Sequence, residues 1–63
     1  MVAYDRLDAA EDAYEEGDWR RCRLKLNQVA KEFGWELAVG ALDEAGAASL
    51  LESHWARLKA LDR

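Results

Sequence analysis

The stretch DWRRCRLKLNQVAKEFG, from Asp18 to Gly34, carries the clearest fold signal in the chain. Its apolar residues Trp19, Cys22, Leu26, Val29 and Phe33 are separated by three or four positions, which places them on one face of an α-helix. Asp18 is the type of residue whose side chain accepts backbone N–H groups at a helix start, and Gly34 supplies the left-handed conformation that ends one. A helix over 19–33 is therefore predicted, bounded on both sides. Upstream, Ala3, Leu7, Ala10 and Tyr14 share a face in the same way, predicting a helix over 3–16 that stops at Gly17. With only Gly17 and Asp18 between them, these two helices must fold back on each other as a hairpin.

Downstream, Trp35, Ala38, Val39, Leu42 and Ala45 fall on one side of a helical projection and predict a third helix over 35–45, closed by Gly46. Ser49 and Glu52 form the Ser-x-x-Glu pattern of a capping box, predicting a fourth helix over 50–61 with Leu51, Trp55 and Leu58 inward. Composition supports an all-α class. Ala (12) and Leu (9) lead the count, Pro, Ile and Thr are absent, and only three Val remain to favour strands. The expected architecture is one domain over 1–63, a compact array of four short helices joined by tight turns.

Sixty-three residues is near the lower limit for a domain that folds alone, and a 51% hydrophobic content is too high for a disordered tail. No apolar run approaches the roughly 18 residues of a membrane span, and the start of the chain lacks a signal-peptide pattern. A single Cys cannot form an internal disulfide, so a reduced, cytoplasmic setting is expected. The Ala, Leu and Arg richness suits a GC-rich bacterial or phage genome.

Charge is partitioned along the chain. Residues 1–18 hold seven acids and one base, residues 19–31 hold five bases and no acid, and residues 32–63 hold six acids and three bases. The surface acids Asp5, Asp8, Asp12, Glu15 and Glu16 thus lie on the first helix, and Arg20, Arg21, Arg23 and Lys25 on the second. An antiparallel hairpin sets the acidic helix beside the basic one, a pattern that orients partners more than it stabilises them.

No catalytic constellation is legible. A Ser-His or Cys-His nucleophile needs Ser49 or Cys22 brought to His54 with a third orienting group. Cys22 instead sits in the core stripe of its helix, and His54 reads as a half-buried helix residue. Neither His-x-x-x-His nor Glu-x-x-His occurs, and no Gly-rich phosphate loop is present, so no metal, cofactor or small-molecule substrate is expected. The chain reads as a non-enzyme.

The segment from Ala10 to Ala30 resembles a tetratricopeptide-type helical hairpin. Ala10 takes the small position of the first helix, Gly17-Asp18-Trp19 the turn, and Cys22, Leu26 and Val29 the small, large and small positions of the second. Arg6 stands where that family prefers Trp, no Pro follows the second helix, and no second copy follows at the repeat period. The resemblance implies protein or peptide binding, or self-association. The run from Val29 to Trp35 also resembles the first helix and turn of a helix-turn-helix, which puts a recognition helix at Glu36 to Ala45. That segment offers Glu36, Asp43 and Glu44 and no Lys, Arg, Asn or Gln, which argues against base reading.

Three Trp, two Tyr, one Phe and nine Leu are a heavy apolar load for so short a chain. Leu24 and Leu37 fall outside their helix stripes, and Tyr4, Leu50, Trp35 and Trp55 join them as candidate interface residues. The expected function is a small protein–protein interaction module, homodimeric, serving as a regulatory adaptor or inhibitor of another protein. The alternative is a nucleic-acid role, through the basic helix 19–31 or through DNA mimicry by the acidic helices.

Overall fold

The computed structural model describes residues 2–61, and all its regular structure is helical. Three helices follow in order: α1 Val2–Glu15, α2 Trp19–Phe33 and α3 Glu44–Leu61.

The α1–α2 hairpin closes through its own backbone. The Gly17 N–H donates to the Tyr14 carbonyl at 3.0 Å and the Asp18 N–H to the Ala13 carbonyl at 2.8 Å. Asp18 then caps α2, its Oδ1 accepting the Arg21 N–H at 3.1 Å. At the other end Gly34 has φ +75°, and its N–H reaches the Ala30 and Lys31 carbonyls. The Trp35 N–H also turns back onto Ala30 O, at 2.8 Å, so the last carbonyls of α2 are satisfied and the chain leaves sharply.

The core lies where all three helices meet. Ala3, Leu7, Ala10 and Ala13 of α1 face Cys22, Leu26, Val29 and Ala30 of α2, and Ala47, Leu51, His54 and Leu58 of α3 close the third side. Alanine at three of the four α1 positions keeps side-chain bulk out of the interface and lets the helices approach closely. Leu7, Leu26 and Leu58 are fully buried, and each such leucine contributes about 1.5–3 kcal/mol. The aromatic residues form a belt around this core. Tyr4 meets Trp55 at 5.7 Å between ring centroids, Tyr14 meets Trp19 at 5.4 Å, and Phe33 stacks on Trp35 at 5.1 Å.

Three helices replace the four expected, because 35–45 is not a helix. Residues 34–43 form one irregular connection, and the apolar spacing of Trp35, Ala38, Val39 and Leu42 is coincidental with the helical period. Two local features hold the segment out of a helix. The Asn27 side chain takes both backbone groups of Ala38, and Gly40 sits at φ +82°, outside helical backbone. The final helix consequently starts at Glu44, not 50. Its cap is Asp43, whose Oδ1 accepts the Gly46 N–H at 2.7 Å, while Ser49 lies exposed inside the helix. Gly46 belongs to the first turn of α3 and is not a stop.

Candidate docking groove

The 34–43 connection lies along α2, and the space between them is an open groove of about 700 Å³. From α2 come Arg20, Arg21, Arg23, Leu24 and Asn27; from the connection come Ala38, Val39 and Gly40. The groove continues past Arg20 and Arg23 toward Trp19, Ala41 and Leu42.

One wall of this groove is a loop, so what holds the loop matters. The Asn27 amide donates to the Ala38 carbonyl at 2.9 Å and accepts the Ala38 N–H at 2.8 Å, standing in for a strand partner. An Arg23 guanidinium N–H donates to the Gly40 carbonyl. At the start of the loop Trp35 is gripped by Phe33, by the His54 ring 5.3 Å away at near right angles, and by the Arg57 guanidinium 5.2 Å over its face. The loop is thus fastened to α2 in its middle and to α3 at its beginning.

The groove is positive on a chain whose formal net charge is −4. Its one acid is Asp18, which has an oxygen committed to the cap of α2. Arg21 also pairs with Glu16 at 3.3 Å, and Arg23 keeps guanidinium donors beyond the one given to Gly40. Arg20 makes no ion pair or side-chain hydrogen bond among the described residues.

Of the candidate interface residues, Leu24 is 55% exposed on the groove wall and Leu37 is 47% exposed on the loop. The other four are half-buried against the core. Tyr4 and Trp55 pack on each other, the Trp55 indole N–H donates to Glu11 Oε1 at 3.1 Å, and Trp35 and Leu50 rest on the core edge. Val39, 89% exposed, was missed by the sequence pattern because it was assigned to the inner side of a helix that does not form.

The acids Asp5, Asp8, Asp12 and Glu15 are exposed on α1, and Glu16 is exposed in the turn that follows it. Among the described residues, the expected acid–base pairing across the hairpin is realised at Arg21–Glu16 alone. The second cross-hairpin pair, Arg6–Glu32 at 3.0 Å, runs in the opposite sense, from the acidic helix to an acid of α2. Both pairs are solvent-exposed, where such contacts contribute about 0–1 kcal/mol.

Cys22 and His54 are both in the core, on α2 and α3. Burial pushes the Cys22 thiol up, with the Asp18 carboxylate adding to the effect, so the reactive thiolate is disfavoured. Burial likewise holds His54 below the usual histidine range; the Leu50 carbonyl, 2.9 Å from Nδ1, pulls the other way and Arg57 lowers it further. That contact puts the proton of the neutral ring on Nδ1. Among the described residues, no group of three or more His, Cys, Asp or Glu side chains is placed to hold a metal ion, and no helix is long and apolar enough to cross a membrane. No family model, curated protein or solved structure matches the chain.

Proposed function

We propose that this chain is a non-enzymatic protein–protein interaction module, acting as a regulatory adaptor or inhibitor, and that it docks through the groove between α2 and the 34–43 loop. The observation that carries this reading is the pairing, in one groove, of exposed Leu24 and Val39 with three arginines. Apolar anchors ringed by arginine are the composition of interface hot spots. Groups that could do chemistry are turned to structural use: Cys22 fills the core and His54 braces Trp35 and Leu50.

The homodimer in this reading draws on a smaller apolar surface than the sequence suggested, because the aromatic belt is spent on the core. Among the described residues, Leu24, Leu37, Val39 and Leu61 are the large hydrophobic residues left exposed. Sedimentation equilibrium tests it directly. A dimer that persists at high salt and becomes a monomer in Leu24→Glu supports self-association through this face; a monomer at every concentration removes the homodimer from the reading.

A second reading rests on the same arginines. Arg20, Arg21, Arg23 and Lys25 offer phosphate contacts, and the exposed acids of α1 offer a DNA-like surface. Neither form has a helix at 36–45 to serve as a recognition helix or as a second acidic rod. Binding to a mixed-sequence duplex that collapses with salt is its signature.

A further inference from the structure

We infer that the groove's occupant is a short acidic peptide segment with one apolar side chain, in the order acid–apolar–acid. The inference rests on the groove being a docking site and specifies what docks. Three features of the groove set the class. The apolar part between α2 and Ala38–Gly40 is narrow, since Leu24 and Val39 are the large hydrophobic residues there, and two such exposed side chains flank a single anchor. The charged rim is positive, with Arg20 unengaged and Arg23 holding spare donors, which suits carboxylates on either side of that anchor. The reach is short: Arg20 to Asn27 spans about 10 Å of helix, the length of about three extended peptide residues.

The charge of the rest of the molecule separates this occupant from a nucleic acid. The groove is a positive patch on a chain of net charge −4, with five exposed acids on α1. An extended polyanion that runs beyond the groove has to follow the surface of a net-negative chain, whereas a three- to five-residue segment is matched to the groove itself. The backbone supports the same choice. Among the described residues, Val39 and Ala41 form no backbone hydrogen bonds, which leaves loop amides and carbonyls for a peptide main chain.

The test is an NMR titration of the full chain, uniformly labelled, with acetyl-Asp-Glu-Leu-Glu-Asp-amide. The expected result is saturable shift changes confined to residues 20–24 and 38–41. Affinity falls about tenfold, or 1.4 kcal/mol, in Arg20→Glu, and by a similar factor when the peptide's Leu becomes Ser. Arg20 is exposed and unpaired, so Arg20→Glu keeps the fold, and Leu24→Ser provides a second variant on the apolar side. No shifts at millimolar peptide, shifts centred on α1 or α3, or equal binding of the Ser peptide overturns the inference. Tighter binding of an oligothymidylate of equal charge overturns it in favour of the nucleic-acid reading. If the peptide fails while Leu24→Glu still dissociates a salt-resistant dimer, the docking surface stands and only its occupant is wrong.

Discussion

Asn27→Ala isolates the contact that shapes the groove. In the wild-type chain the Asn27 amide makes two hydrogen bonds to one residue, at 2.8 Å and 2.9 Å, and both are to the backbone of Ala38. Each is half-buried, and a hydrogen bond of this kind contributes about 0.5–1.5 kcal/mol net. Losing two costs about 1–3 kcal/mol, and alanine returns about 0.5 kcal/mol through its better helix propensity. The expected loss is therefore about 0.5–2.5 kcal/mol, which lowers the melting temperature of a domain this size by about 2–20 °C. Asn27→Asp keeps the acceptor and removes the donor, setting a carboxylate against the Ala38 carbonyl, so it should recover none of the loss. Urea denaturation followed by circular dichroism gives the global figure. Amide exchange at Ala38 gives the local one, since its protection disappears with the side chain. Unchanged stability in Asn27→Ala, or an Ala38 amide that stays protected, would refute the claim that this side chain fastens the loop.

Other consequences are as direct. His54 is held below its usual range, so between its folded value and about pH 6.5 the unfolded chain binds more protons and stability rises with pH. Stability should be level from about pH 6.5 to about pH 8, fall progressively as pH drops below that window, and lose that slope in His54→Gln; an identical slope in the variant would exclude His54 as its source. Cys22, fully buried and with its thiol pushed up, should react with an aromatic disulfide reagent at a rate that follows urea concentration, and labelling at the free-thiol rate in native buffer would contradict its burial. Gly34→Ala forces an L side chain to φ +75° at the end of α2 and should cost about 1 kcal/mol by thermal denaturation, although open space surrounds the site.

The hairpin was legible because local signals agreed there: the Trp19–Phe33 stripe, the Asp18 cap and the Gly34 exit all describe the same helix. The 34–43 segment was misread because its apolar spacing imitates a helix while its backbone is satisfied by a residue far back in the chain. Nothing near Ala38 announces Asn27. The local hints were Gly40 in mid-segment and Asp43, a residue type that caps helix starts as well as Ser49 does. The groove was half visible for the same reason. Arg20, Arg21, Arg23 and Leu24 stand out as surface residues on α2, but Val39 and Gly40 become its other wall only once the loop is laid across Asn27. The aromatic surplus was misjudged in the other direction: pairing Tyr4 with Trp55, Tyr14 with Trp19 and Phe33 with Trp35 absorbs side chains that a residue count leaves over.

That belt also distributes the three indoles among three different junctions. Trp19 lies against Tyr14 where α1 meets α2, Trp55 against Tyr4 where α3 meets α1, and Trp35 against Phe33 and His54 where the loop leaves α2 for α3. Chains retaining one indole apiece become three optical gauges of different seams. Global melting moves all three signals at one midpoint, whereas release of the loop alone changes the emission of Trp35, reaches Trp19 through its shared groove with Ala41 and Leu42, and leaves Trp55 dark to the event.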